Sequence, residues 1–301
     1  MIYTVTLNPS VDLFVKTEIE LGKLNRAESE QYIAGGKGIN VSLLVEKLGI
    51  KSCAIGFVGG FTGEFIRNSL KGKVSEINMI ECEGVSRINI KVEDEKELTE
   101  INLSGIKVGS QQKEELFEFL RNRLTEDDYL DISGNTARGF ETEDIETLCR
   151  IANEKNARLV VDINEKYLKS LLKYRPFLIK PNIAELSGMT GRELSDPEEL
   201  IEVMKEIHEQ GIANVLVSMG GDGACLYDGN YERAEAFRGK VVSTIGSGDS
   251  MVAGFMYASE QGMTGRDKLI YATACGSATA FKLGLADKQE VEDLFNSYGK
   301  Q

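Results

Sequence analysis

Apolar and polar positions along this chain fall into two rhythms. Residues 2–7 read as a buried strand, with Ile2, Tyr3, Val5 and Leu7 set around two threonines. Residues 39–48 repeat at helical spacing and stop at Gly49, a glycine terminator. The alternation continues as strand 52–58, helix 62–70 behind Gly59 and Gly60, helix 111–124, strand 129–132, helix 142–156 and strand 158–162. A short strand 177–179, helix 197–210 and strand 214–218 follow, then three helices at 249–261, 264–281 and 287–298. Strands alternating with helices predict an α/β fold: a mainly parallel sheet covered on both faces.

Two stretches depart from that rhythm. Residues 14–33 are polar and extended, without a helix signal, and residues 88–103 give two alternating runs joined by a charged turn, a hairpin. Both are expected in a small sheet outside the main one. Such a sheet has open faces and edges and needs a ligand or a second subunit as cover.

Composition narrows the function. The 301 residues, 42% of them apolar, suffice for one large core with a small extra lobe. The formal net charge of −13 excludes a broadly basic face, and with it nucleic acid and anionic membranes as partners. A phosphorylated ligand then has to be held by a few placed cations and backbone amides. Cys53, Cys82, Cys149, Cys225 and Cys275 are odd in number, widely spaced and without a CxxC, as expected of reduced thiols in the core of a cytoplasmic protein. His208 is the only histidine; it falls on the charged helix 197–210 as an expected surface residue, which argues against a zinc cluster or a histidine-based triad. The first residues lack a basic leader and reach Asp12 quickly, and no apolar run attains the roughly 18 residues of a membrane span.

Glycine, at 31 residues, is abundant, and it clusters where chemistry is expected. TIGSGDS at 244–250 runs into the helix that follows. Gly246 and Gly248 permit a tight turn with free amides, Ser247 lies between them, and the helix N-terminus adds partial positive charge beside Asp249. The alternative is a helix capped by Ser247 or Asp249. AGGKGIN at 34–40 places Gly35, Gly36, Lys37 and Asn40 at another helix start, a site for an anion or hydroxyls, or else a plain turn with a solvated lysine. KPNIAE at 180–185 brings Lys180 together with Asn182 and Glu185, whose oxygens suit Mg²⁺ through water, or form a capping box. SMGGDG at 218–223 (Ser218, Met219, Gly220, Gly221, Asp222, Gly223) is a candidate nucleotide loop or a hairpin turn. Asp12 lies past the end of the first strand, and Arg87 and Asn89 stand at the start of the hairpin. No GxxxxGK[ST] and no GxGxxG occurs, so neither a Walker loop nor a dinucleotide fingerprint is present, and a nicotinamide oxidoreductase is disfavoured.

These motifs, in this order, resemble the PfkB (ribokinase-like) carbohydrate kinase family. AGGKGINVSLLVEKLG at 34–49 is similar to its N-terminal signature and STIGSGDSMVAGF at 243–255 to its C-terminal one. TLNPSVD, RIN, TEIN and IKPNIAEL are most like the 1-phosphofructokinase branch, with tagatose-6-phosphate kinase next and the minor 6-phosphofructokinase third. SGNTARG at 133–139 departs from the family's usual SGSLPPG, VVDINE at 160–165 lacks its Ser-Gly, and Ser86 stands for a usual threonine.

The resemblance implies a three-layer ribokinase-like domain with a small β lid at roughly 14–33 and 86–104, paired lid to lid in a homodimer. It implies transfer of the ATP γ-phosphoryl group to a ketohexose phosphate, fructose 1-phosphate first. In that reading Asp249 is the base and the amides of Gly246, Ser247 and Gly248 hold the transferring group. Asp12, Asn40, Asn89 and the glycines Gly35 and Gly36 face the sugar, and Lys37 and Arg87 its phosphate, with Lys23 or Arg26 reaching in from a lid. Lys180, Asn182 and residues 218–223 line the nucleotide, and Mg²⁺ sits on ATP with water contacts to Asn182 and Glu185. Another kinase of the family acting on a hexose or nucleoside, or a non-catalytic sugar-binding module, are the alternatives.

Overall fold

The computed structural model describes residues 1–94 and 98–299. Its strands are β1 (Ile2–Thr6), β2 (Ser10–Lys16), β3 (Ser29–Gly35), β4 (Ser52–Val58), β5 (Glu76–Glu81), β6 (Arg87–Glu93), β7 (Leu98–Asn102), β8 (Tyr129–Gly134), β9 (Arg158–Ile163), β10 (Leu178–Ile179), β11 (Asn214–Ser218), β12 (Ala224–Tyr227) and β13 (Tyr231–Ala234). Its helices are α1 (Lys37–Leu48), α2 (Gly60–Leu70), α3 (Ser110–Arg123), α4 (Thr142–Glu154), α5 (Glu165–Leu171), α6 (Ile183–Thr190), α7 (Pro197–Glu209), α8 (Ser247–Glu260), α9 (Gly265–Ala280) and α10 (Lys288–Ser297).

Nine strands form one sheet in the order β13-β12-β11-β10-β9-β8-β1-β4-β5. It is parallel from β5 to β11, and β12 and β13 turn back antiparallel. Residue alternation decides the layers. Tyr3, Val5 and Leu7, with Leu159, Val161 and Ile163, pack into one core with α3, α4 and α7. Ile2, Tyr129 and Val160 face the other way, against α1, α8 and α9. On that second face the C-terminal ends of the central strands turn polar. Thr6 is in register with Ser133, and Ser133 with Asp162; one step below, Thr4 is in register with Asp131. Thr4, Thr6, Asp131, Ser133 and Asp162 are all buried. The sheet therefore carries a hidden polar row directly under the N-termini of α1 and α8.

The small sheet has four strands, β3-β2-β6-β7. It begins earlier than expected, at Ser10, and continues to Gly35; residues 17–28 form the loop between β2 and β3. Asp12 thus belongs to the lid, in register with Ile33 and Asn89, rather than to the end of β1. The hairpin pairs β6 with β7 antiparallel, and its charged turn lies outside the described residues at 95–97. Outer lid positions Leu21, Leu24, Tyr32, Leu98 and Ile101 are exposed.

Five cysteines are free and buried, as read from their spacing. His208 corrects its expectation: it is half-buried, with its ring 5.3 Å from that of Tyr227. Among the described residues no helix is long and apolar enough to cross a membrane.

Candidate functional site

The TIGSGDS turn does not cap its helix with a side chain. Gly246 is the N-cap residue of α8, with φ 79°, a left-handed conformation that favours glycine, and it receives no side-chain hydrogen bond. Ser247 has no partner for its buried Oγ, and Asp249 is buried with its carboxylate directed elsewhere: Asn40 Nδ2 donates to Asp249 Oδ2 at 2.7 Å. The capping alternative for this motif is therefore set aside. At the start of α8 the Ser247 amide donates to the Thr244 carbonyl at 3.2 Å, and no side chain caps the helix.

That turn divides two hollows. Gly246 and Asp249 line a cavity of about 160 Å³ under the lid, together with Asp12, Gly36, Lys37, Asn40, Arg87 and Asn89. Ser247 and Gly248 line a cleft of about 790 Å³ on the other side, together with Asn182, Ser218, Gly220, Gly221, Asp222 and Gly223. Residues 218–223 turn β11 into β12, as the hairpin reading expected, and Ser218, Gly220, Gly221, Asp222 and Gly223 line the cleft as they do so. Met219 does not join them; it lines a neighbouring hollow and its sulfur meets Cys225 Sγ at 3.6 Å.

The smaller cavity is lined mainly by polar residues. Ser10 Oγ and Asn89 Nδ2 donate to Asp12 Oδ1 at 2.7 and 3.0 Å, fixing that carboxylate by one oxygen. Three residues of its lining each hold a buried oxygen, Thr6 Oγ1, Asn8 Oδ1 and Asn89 Oδ1, without a hydrogen-bond partner among the described residues. Buried polar atoms left unpaired around a hollow favour a polar occupant. Gly36, at φ 132°, carries the chain from β3 into α1 so tightly that a Cβ there would lie 2.5 Å from Thr6 Cγ2. Gly35 ends β3 against Asp12. Arg87 donates from Nε to Asn8 O at 3.1 Å, and among the described residues it makes no ion pair. Burial pulls its pKa down while Asp12 opposes that pull.

Lys37 lines the small cavity and is at the same time engaged by a carboxylate. Its Nζ lies 3.1 Å from Oδ1 of the buried Asp162, and Lys180 Nζ lies 3.6 Å from Oδ2 of the same carboxylate. Burial would raise the Asp162 pKa, but Lys180 and Lys37 outweigh it and hold it below the usual carboxylate value. The same burial depresses Lys37, and Asp162, Asp249 and Glu185 more than restore it. Two lysines thus flank one aspartate beside Asp249. Burial and the Asp162 charge raise Asp249 to about 6, against pulls downward from Asn40, Lys37 and Lys180. Lys23 and Arg26 are not brought to either hollow of their own chain. Both lie on the loop between β2 and β3; Lys23 is exposed and pairs with Glu20, and Arg26 uses its carbonyl to accept from Thr17 Oγ1 at 3.1 Å.

Asn182 and Glu185 form the capping box that the motif allowed. Asn182 Oδ1 accepts from Glu185 N and Glu185 Oε2 from Asn182 N, each at 2.8 Å. Among the described residues no cluster of three acidic, cysteine or histidine side chains could hold a metal ion.

Sequence reasoning missed Asp131, Asp162, Thr6, Asn8 and Asn135. The last lines the small cavity on the loop after β8, whose Thr136 carbonyl accepts from Asn8 Nδ2 at 3.4 Å. A signal for the two aspartates was present, since each is an acid inside an apolar strand, in YLDIS and LVVDI. Gly248 also needs revising. Its φ is not left-handed, so alanine brings no backbone strain; its Cβ would lie 3.2 Å from Lys180 Nζ. We expect Gly248→Ala to shift the Lys180 ammonium by a few tenths of an ångström and to lower kcat, by less than the roughly 10²-fold that a full ångström of misplacement costs. Unchanged kcat at saturating nucleotide would remove that role for Lys180.

The comparisons agree with this architecture. The pfkB family carbohydrate kinase model matches residues 6–292. A D-tagatose-1-phosphate kinase of Bacillus licheniformis is 39% identical over 97% of this chain and 96% of its own length. A 1-phosphofructokinase of Borreliella burgdorferi is 39% identical over 98% and 96%. The crystal structure of phosphofructokinase-2 from Escherichia coli in complex with substrates and products superposes with a TM-score of 0.94 at 27% identity, covering 99% of both chains. With a lid over a polyhydroxyl cavity, a helix start dividing that cavity from a second cleft, and matches along nearly its whole length, the chain belongs to the pfkB family of carbohydrate kinases.

Proposed function

We propose that this kinase transfers the γ-phosphoryl group of ATP to the free primary hydroxyl of a ketohexose 1-phosphate, fructose 1-phosphate first. The carrying observation is the partition at the start of α8, where Asp249 faces the small cavity and Ser247 and Gly248 face the large cleft. The sugar occupies the first hollow and the nucleotide the second, so the acceptor hydroxyl and the γ-phosphorus meet across the turn. Asp249 takes the hydroxyl proton, and the amides of Gly246, Ser247 and Gly248 hold charge on the transferring group. Asp12, Asn40 and Asn89 orient sugar hydroxyls, and Arg87 receives the 1-phosphate. Lys37 and Lys180 neutralise the phosphoryl group in transit, which revises the role first expected of Lys37. Mg²⁺ would be held by the triphosphate and by water within reach of Asn182 and Glu185, and would supply neutralisation of phosphate charge.

A second reading keeps the phosphate on carbon 1 and changes the sugar to tagatose, as the name of the Bacillus licheniformis relative suggests. It takes the place of the 6-phosphate sugars in the sequence-based alternatives. Two features of the setting are also proposals. The exposed apolar residues of the outer lid support a lid-to-lid homodimer, and a monomeric mass by light scattering would remove it. Five reduced, buried thiols support a cytoplasmic location, which fractionation of cells would test.

The test of the function is a coupled assay of ATP consumption with fructose 1-phosphate, tagatose 1-phosphate, fructose 6-phosphate, tagatose 6-phosphate and the free sugars. Turnover highest on the 1-phosphates is expected. Free fructose used as well as fructose 1-phosphate would end the phosphosugar assignment.

A further inference from the structure

Asp131 lies on β8 beneath the transfer centre, wholly buried, and nothing in the mechanism above uses it. Its Oδ1 accepts from Ser133 Oγ at 2.6 Å, and its Oδ2 has no hydrogen-bond partner among the described residues. Groups that face it come from every element packed around that point. From β1 come Thr4 and Thr6, and from β9 Val160 and Asp162. From α1 come Lys37 and Ser42, the latter bonded to Thr4, and from α8 comes Asp249. Lys180 follows β10. The charged members are therefore Asp162, Asp249, Lys37 and Lys180. Both lysines are already engaged by Asp162, at 3.1 and 3.6 Å. Among the described residues no cation forms an ion pair with Asp131.

A buried carboxylate without a cation is unstable, and such a group keeps its proton instead. We propose that Asp131 serves as an uncharged carboxylic acid, a positioning residue that anchors Ser133 at the floor of the site and whose ionisation switches phosphoryl transfer off. The inference rests on the kinase reading, because the penalty falls on the group being transferred. Charge on Asp131 would put a third carboxylate beside Asp162 and Asp249 and draw Lys37 toward itself. The transferring phosphoryl group, itself anionic, would then meet more repulsion and less neutralisation in a low-dielectric site. Burial, with Asp162 and Asp249 adding to it against Ser133 and Lys37, raises the Asp131 pKa to about 8. The switch therefore operates on the alkaline side of neutrality.

Two measurements test this. The first is the pH dependence of kcat, using whichever sugar phosphate supports turnover. Wild-type kcat is expected to decline above about pH 8, and in Asp131→Asn that decline should vanish or move up by about one unit or more. At pH 7 the variant should keep kcat within about threefold, since one neutral hydrogen-bonding group replaces another. Superimposable pH profiles, or a folded variant inactive at pH 7, would overturn the proposal. The second needs neither substrate nor variant: titration of wild-type protein carrying ¹³C at the aspartate side-chain carboxyls, followed by NMR. One carboxyl should stay protonated past neutrality, and complete ionisation of all of them by pH 7 would overturn the proposal even if Asp131→Asn failed to fold. Absence of turnover on every sugar phosphate would defeat the kinase reading alone, and the titration would still decide the state of Asp131.

Discussion

Asp249→Asn is expected to fold, to bind sugar phosphate and ATP, and to lose turnover by about 10²–10⁴-fold, the usual cost of removing a general base. Binding survives because the amide keeps the shape of the side chain and still faces Asn40. Transfer fails because the amide cannot accept the hydroxyl proton. Charge sharpens this expectation. Burial and the nearby Asp162 raise the Asp249 pKa to about 6, and the base must be ionised to work. Wild-type kcat/KM should therefore fall as pH drops through about 6, while the residual rate of Asp249→Asn should lack that acid limb. Steady-state kinetics from pH 5 to 8 on both proteins would check it. A variant with wild-type kcat would make Asp249 a structural group and would sink the mechanism.

The order of strands and helices was legible because the central strands are mostly apolar and buried on both faces, and helices such as α4 and α7 carry a clear apolar stripe. Places where that logic weakens were missed. β5 is an edge strand of half-buried residues, EINMIE, with neither a continuous apolar run nor a clean alternation. α5 is only seven residues long and starts at an Asn164 cap, too short to show a period. In the site, glycine-rich turns announced Gly36, Gly246 and Gly248, because a chain making close approaches needs glycine in sequence-adjacent positions. Asp162 had no such local signature. Its role arises only when β9 is set between β8 and β10, so that one carboxylate meets Lys37, 125 positions away, and Lys180. The Asp162 partner of Lys37 was missed for the same reason: a motif gives its neighbours along the chain and not the partner across the sheet.

The remaining large effect concerns how a protein of net charge −13 holds a doubly charged sugar phosphate. The far field opposes binding, so local cations must overcome it. With Lys37 engaged by Asp162, Arg87 is the cation best placed at the lid end of the small cavity. Its Nε bond to the Asn8 carbonyl holds the guanidinium in place, half-buried, with no carboxylate among the described residues within ion-pair distance. A preset guanidinium grips a phosphate with two hydrogen bonds, which an ammonium cannot do. Arg87→Ala should accordingly raise KM for the sugar phosphate by about 10- to 100-fold, the worth of a charge-assisted hydrogen bond of roughly 1.5–3 kcal/mol. KM for ATP should change little, because the nucleotide cleft lies beyond the α8 turn. Arg87→Lys should recover only part of the loss. An unchanged sugar-phosphate KM would move the phosphate site elsewhere. Arg138 donates to the Gly105 carbonyl at 2.7 Å beside the same loops, and Lys23 and Arg26 could serve only by crossing from a partner's lid. A dilution series separates these outcomes. Loss of sugar-phosphate affinity on dilution to monomer, with Arg87→Ala silent, would assign the phosphate to the lid of the second subunit.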